Sequence, residues 1–195
     1  MTVENFDALG VLGTEELRTE LSRVIPLSHR QGLSGVAFRP AAFCGHSENV
    51  IGLYSKPDHQ VLVRPKRFGE LARSLKTMKD ELQSSTSVMD RLNVKRTCTV
   101  ALSDRFASAA TKVLRIVYHE IGHHVYSQLI RLNEVLVERW HYLYHLRREH
   151  ISSCADISEE ENFAECYMHY VDNQGAFDIG GFDQEYKAMQ RVFSM

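Results

Sequence analysis

The sequence predicts an α+β fold, with strands in the first half of the chain and helices in the second. Short β-branched runs separated by turn residues fall before position 103. Helical periodicity continues almost without a break from about residue 106. The 195 residues are 44% hydrophobic, which suits one globular core. We therefore expect a single domain over residues 1–195, with a sheet-containing half at 1–105 and a helical half at 106–195.

The first expected element is a short helix that follows Gly13. Thr14 is its expected N-cap, and two acidic residues follow in the first turn. Leu17, Leu21 and Val24 recur at helical spacing and give the helix one apolar face.

Strands are expected at "SGVAF", at "NVIGLY" ending at Tyr54 and at "HQVLVR" beginning at His59. The intervening "SKPD" predicts a turn, so the last two should form a hairpin. An amphipathic helix is expected in "FGELARSLKTMKDELQ", and "RTCTVAL", ending at Leu102, predicts another strand. Ser103 or Asp104 then caps a long helix.

Composition excludes several classes of function. The net charge is −2 and no basic tract is present, so neither nucleic acid nor an anionic membrane is an expected partner. No apolar run approaches the roughly 18 residues of a membrane helix, and the N-terminal residues lack the features of a secretion signal. We expect a protein made in the cytoplasm, with export by a specialised route left open. The oligomeric state is not predicted.

The four cysteines are far apart in the sequence and form no C-x-x-C pair: Cys44, Cys98, Cys154 and Cys166. This spacing favours free thiols over a disulfide framework. "CGH" at Cys44 lacks a second pair of ligands, so it does not predict a metal site by itself.

The most informative stretch is "HEIGH", residues 119–123. At about 100° per residue, His119 and His123 lie about 40° apart on one helical face, with Glu120 beside them. Two imidazoles and a carboxylate in this arrangement predict a catalytic zinc site in which the glutamate acts as general base. His124 is directed toward the core side. The opposite face carries an apolar stripe suited to packing on a sheet: Ala110, Leu114, Val117, Ile121 and Val125.

A third zinc ligand is expected in "SEEENFAECYMHY". Glu161 and Glu165 are four residues apart on one helical face, so one can bind the metal while the other holds a ligand imidazole. Two alternatives remain open from the residues alone. His141 or His145 could be the third ligand, or Glu161 could serve only in a capping box with Ser158, three residues earlier.

"HEIGH" followed after about 37 residues by "ENFAE" resembles the glutamate-zincin metallopeptidases, the group that includes the catalytic domain of anthrax lethal factor and the Pro-Pro endopeptidases. The resemblance covers about a third of the chain. It implies a zincin-like fold, with a small mixed sheet packed on the motif helix, and one Zn²⁺ per chain. It also implies that His119, His123 and Glu161 bind the metal and that Glu120 is the general base. Glu165 would hold a ligand imidazole without binding the metal itself.

The function that the resemblance implies is a zinc-dependent endopeptidase acting on a peptide or protein substrate. In zincins the substrate usually lies along an edge strand above the motif helix. "RTCTVAL" or "HQVLVR" is the expected edge. Several relatives are secreted or injected effectors or toxins, so that role stays open for this chain.

The chain departs from the family pattern at one position. Relatives have a tyrosine seven residues before the ligand glutamate, where it stabilises the oxyanion, and this chain has Cys154 there. The expected substitutes are Tyr144, His150 and Tyr167. The alternative function is a catalytically inactive binding or structural protein on a zincin scaffold, with a structural zinc.

Overall fold

The structure is a computed structural model that describes residues 1–39, 51–64, 109–147, 150–172 and 174–195. Several sequence predictions lie outside these ranges: the helix after Pro65, the strand ending at Leu102, the caps Ser103 and Asp104, and the thiols Cys44 and Cys98 with His46.

The described strands form one mixed four-stranded sheet in the order β1-β2-β4-β3. Strand β2 is parallel to both β1 and β4, whereas β3 and β4 are antiparallel and form the predicted hairpin. The register of the hairpin places Gly52 opposite Val63 and Ser55 opposite Gln60. The strands are β1 (Thr2–Glu4), β2 (Gly35–Phe38), β3 (Gly52–Ser55) and β4 (Gln60–Val63).

The order of the strands corrects one prediction about the sheet edge. "HQVLVR" contains β4, which pairs with β2 on one side and β3 on the other and so cannot accept a further strand. Among the described strands, β3 is the edge on this side of the sheet. The opposite edge, β1, was not predicted because three residues give too little alternation to detect.

Short helices connect the parallel strands β1 and β2: a 3₁₀ turn (Phe6–Leu9), α1 (Thr14–Val24) and α2 (Leu27–Arg30). The predicted helix after Gly13 is therefore confirmed, but Thr14 is its first residue and Gly13 occupies the N-cap position. Glu16 accepts a hydrogen bond from the backbone N–H of Gly13 at 2.8 Å, and a second acceptor lies seven residues before Thr14. Thr14 donates its backbone N–H and its hydroxyl to the Asp7 carboxylate, at 3.1 and 2.6 Å.

The second half of the chain is helical, as predicted: α3 (Ala109–Val125), a π-helical turn (Tyr126–Ile130), α4 (Glu134–Leu146), α5 (Glu159–Asp172), α6 (Gly175–Gly180) and α7 (Asp183–Phe193). The predicted interruption at residues 152–158 separates α4 from α5. The mixed α+β architecture is thus confirmed. In the described part of the chain no helix is long and apolar enough to cross a membrane.

Helix α3 lies between the sheet and α5. Its predicted apolar stripe is buried as expected: Val117, Ile121 and Val125 are fully buried, and Ala110 and Leu114 are partly buried against the same core. Burial of this stripe fixes the rotation of the helix, and therefore which residues face α5.

Helices α3 and α5 touch at Gly122. A Cβ atom added there would lie 2.8 Å from Cα of Ala164 and 3.2 Å from Cβ of Tyr167. A glycine inside a helix costs about 1 kcal/mol relative to alanine, so this close approach explains why the position lacks a side chain. An ion pair between Arg115 and Asp172 also joins the two helices.

Candidate metal centre

Two helices bring three potential ligands to one point. Nε2 of His119 lies 3.1 Å from Nε2 of His123. These two atoms lie 3.2 and 3.5 Å from Oε2 and Oε1 of Glu161, respectively. Donor atoms about 2.0–2.1 Å from a tetrahedral zinc ion are about 3.3 Å from one another. The separations of the donor atoms therefore fit a zinc ion held by one turn of α3 and the first turn of α5.

The first turn of α5 uses Glu161 in two ways. Its backbone N–H donates to Oγ of Ser158 at 3.1 Å, which is the N-cap contact expected of a capping box. Its carboxylate faces the two imidazoles instead of the helix terminus. The capping alternative therefore accounts for the backbone of this residue but not for its side chain.

Carboxylates also contact the outer nitrogens of both imidazoles. Nδ1 of His119 lies 2.8 Å from Oε1 of Glu165, whose other oxygen accepts a hydrogen bond from Ser152 at 2.7 Å. Nδ1 of His123 lies 3.3 Å from Oε1 of Glu160. Each Nδ1 therefore faces a carboxylate, the partner that metal-binding imidazoles commonly have on the nitrogen away from the ion.

Carboxylates surround the two imidazoles and shift their pKa values. Burial alone lowers the pKa of His119, but its hydrogen bonds to Glu161 and Glu165 outweigh this effect and raise the pKa to about 10. For His123, burial is outweighed by Glu160 and Glu161, which raise its pKa to about 9. The hydrogen bonds from the two imidazoles lower the pKa of Glu161. Three carboxylates around two imidazoles therefore favour a bound cation.

Glu120 lies on the sheet side of the site and is 8% exposed. The backbone of β3 approaches it closely: a Cβ atom at Gly52 would lie 2.4 Å from Oε1 of Glu120. The backbone of Tyr54 faces the carboxylate and opposes a rise in its pKa. Burial raises the pKa of Glu120, while His119 and His123 oppose the shift. The carboxylate is thus held between the edge strand and the imidazoles.

Cys154 is a direct neighbour of the ligands. Its thiol lies 3.6 Å from Oε2 of Glu161 and is oriented to donate to it. Sγ is also within 4.8 Å of ligand atoms of His119 and Glu165. Burial, followed by the charges of Glu165 and Glu161, raises the pKa of this thiol to about 12. Cys154 is therefore a neutral hydrogen-bond donor to the carboxylate of Glu161, a candidate ligand.

The three expected oxyanion donors have other partners. Tyr167 is fully buried and donates its hydroxyl to Nδ1 of His29 at 2.9 Å, so it is directed into the core. Tyr144 donates to the backbone carbonyl of Asp156 at 3.2 Å, and its ring stacks on His150 at 4.5 Å. The structure does not bring Tyr167 to the candidate metal ligands, and the rings of Tyr144 and His150 stack on each other.

Further histidines have separate roles. His141 and His145, the alternative third ligands, cluster with Glu159 and not with the motif imidazoles. His124 is 1% exposed and bonds the Tyr54 hydroxyl at 3.0 Å, and its other nitrogen donates to a backbone carbonyl. The expectation that this histidine belongs to the core is confirmed.

Three residues that support the site were not identified from the sequence. Gly52 allows β3 to approach the general-base candidate, and a lone glycine within a strand is a signal of such an approach. Ser152 donates a hydrogen bond to Glu165, the carboxylate that contacts Nδ1 of His119, and Nζ of Lys56 lies 3.1 Å from Glu160. No local pattern marks these two, because tertiary structure alone makes them neighbours of the site.

Comparisons of the chain with protein-family models, with curated protein sequences and with solved structures each give no match. The assignment of chemistry to this site therefore depends on the residues and geometry of the chain itself.

Proposed function

We propose that the chain is a zinc-dependent endopeptidase of the glutamate-zincin type. The observation that carries the proposal is the convergence of His119, His123 and Glu161 at separations suited to a tetrahedral ion. The motif helix lies against β3, an antiparallel edge among the described strands, and α5 supplies the carboxylate ligand, which supports a zincin-like arrangement.

One zinc ion per chain would be held by these three residues, a set that leaves a fourth tetrahedral position for water or substrate. When bound, the ion would supply Lewis-acid chemistry, namely activation of water near neutral pH and polarisation of a peptide carbonyl. Glu165 and Glu160 hold the two imidazoles in the orientation that exposes Nε2 to the metal.

Glu120 is the proposed general base. Its carboxylate lies beside both proposed ligand histidines and next to β3, the strand with which a substrate would pair. Glu120 accepts a proton from the attacking water and returns it to the leaving amine. Among the described strands β3 has no neighbour on its outer side, and a substrate that pairs there would bring its peptide bonds to this carboxylate.

A second candidate function is an inactive zincin scaffold that keeps zinc as a structural ion. Cys154 favours the inactive scaffold. Its neutral thiol, which is hydrogen-bonded to Glu161, occupies the position where the family resemblance implies an oxyanion-stabilising tyrosine. Loss of one such donor costs about 2.7–4 kcal/mol of transition-state stabilisation, which slows a peptidase strongly without abolishing its activity.

Metal analysis and one conservative variant test both functions. Purified wild type should contain one zinc per chain, Glu161→Ala should lose it, and Glu120→Gln should keep zinc while losing peptidase activity on a peptide library. Zinc retained in an active Glu120→Gln would refute the catalytic role. Wild type with zinc but without activity on the library favours the inactive scaffold, and wild type without zinc after metal-replete purification contradicts both functions.

A further inference from the structure

A second group of metal-ligating side chains lies where α4 meets the N-terminus of α5. His141, His145 and Glu159 each offer one atom within 4.8 Å of the other two. Nδ1 of His141 lies 2.9 Å from Oε2 of Glu159. The rings of His141 and His145 are 4.3 Å apart between centroids. None of the three residues belongs to the proposed catalytic site.

The carboxylate of this group is held in place by other side chains. Oε1 of Glu159 accepts a hydrogen bond from the Tyr126 hydroxyl at 2.8 Å, which leaves Oε2 on the side of His141. The backbone carbonyl of Glu159 accepts from the Trp140 indole at 3.3 Å. The Glu159 side chain is only 21% exposed. A fixed carboxylate needs less ordering when an ion binds than one on a mobile side chain.

The two histidines are four residues apart on α4, so one ion can reach both imidazoles from one helical face. His145 also packs edge-on against Tyr144, with ring centroids 5.1 Å apart. Imidazole ligands favour zinc, nickel and copper, whereas magnesium and calcium prefer sets made of oxygen atoms. The donor atoms therefore select a transition metal ion.

We propose that His141, His145 and Glu159 form a second, surface metal site that binds Zn²⁺ reversibly and joins α4 to α5. The site is weaker than the first, because His141 is 62% exposed and both imidazoles must become ordered when the ion binds. An ion on Glu159 also restrains the turn that carries Glu160 and Glu161, so occupancy of the surface site should steady the first site.

Zinc titration of full-length variants tests the proposal. Wild type, dialysed against increasing free zinc, should bind a second equivalent at higher concentration than the first. His145→Ala should lose that second equivalent and keep the first. Tyr142→Ala, a change at an exposed neighbour on the same helix, should bind as wild type does. His123→Ala should lose the tight equivalent and keep the weak one.

The proposal is overturned if His145→Ala binds the same number of equivalents as wild type across the range. Melting temperature gives an independent readout. Zinc beyond the first equivalent should raise it in wild type and Tyr142→Ala but not in His145→Ala, and an equal rise in all three would also overturn the proposal. Absence of the tight site would refute the proposed peptidase, while the difference between wild type and His145→Ala would still report on the surface site.

Discussion

Nδ1 of His119 lies 2.8 Å from Oε1 of Glu165, a carboxylate whose side chain is only 12% exposed. Removal of such a partner from a ligand imidazole typically weakens metal binding by about 10- to 100-fold. We therefore expect Glu165→Ala to lower zinc affinity by about that factor without removing a ligand. Competition with a chromophoric chelator measures the change.

Glu160→Ala is the matched control, because Glu160 makes the corresponding contact to His123 at 3.3 Å but is 27% exposed. Its effect should be smaller than that of Glu165→Ala, since water can replace a partly exposed partner. Glu161→Ala should have the largest effect of the three. If Glu165→Ala weakens binding more than Glu161→Ala, the roles of the two glutamates are reversed.

Gly52→Ala should impair activity while leaving zinc content intact. The new Cβ atom would lie 2.4 Å from Oε1 of Glu120 and 2.7 Å from the side chain of Ile116, so one of them must move. Displacement of a catalytic group by about 1 Å can cost about 100-fold in rate. Peptidase assays and metal analysis on the same sample separate the two effects. Ser55→Ala, at the other end of β3, should retain full activity.

Gly122→Ala should destabilise the protein, although alanine is the better helix former by about 1 kcal/mol. The added Cβ atom meets the backbone of Ala164 at 2.8 Å, and backbone cannot rotate away. Overpacking of this kind costs about 1–3 kcal/mol. Urea denaturation gives the free energy of unfolding, and a variant more stable than wild type would contradict the close contact between α3 and α5.

His29 should make stability depend on pH. It is 1% exposed, and burial lowers its pKa below 6.5; His124 adds to the shift, and the carbonyl of Val192 opposes it. The folded protein thus holds His29 neutral, whereas the unfolded chain binds a proton more readily. The contribution of neutral His29 to the free energy of unfolding is fully present above about pH 6.5. It is lost as the pH falls toward the lower pKa of His29 in the folded protein.

His29→Gln tests this expectation, because the amide cannot titrate. At pH 7.5 the variant should be less stable by about 1–3 kcal/mol, since the paired contacts to Tyr167 and Val192 are disturbed. The difference in the free energy of unfolding between wild type and variant should become smaller toward pH 5.5. Comparing the two proteins at each pH cancels the titration of every other group. A gap of constant size would show that His29 does not titrate in this range.

The sequence predicted those parts of the fold that are determined locally. Helix α1, the hairpin and the break before α5 follow from periodicity and turn residues, which act over a few positions. The strand order could not be read in the same way, because β2 pairs with residues distant in sequence on both sides. The expectation that β4 forms an edge was wrong for this reason.

The candidate site shows the same division. His119 and His123 are related by helical spacing, so their shared face was predicted from the sequence. Local spacing allowed either Glu161 or Glu165 as the third ligand, and the family resemblance favoured Glu161. Ser152 lies in the loop before α5 and Glu165 lies within α5, so no pattern of neighbouring residues predicts their hydrogen bond.

The helices that meet at Gly122 are separated in sequence by the whole of α4. An ion shared by His119, His123 and Glu161 would close residues 124–160 into a ring in the folded protein and stabilise that state in proportion to how tightly it binds. Metal removal would open that ring at Glu161, in the first turn of α5, where Glu159 contacts Trp140 of α4. Amide exchange in α4 should then depend on zinc concentration even at positions far from the ion.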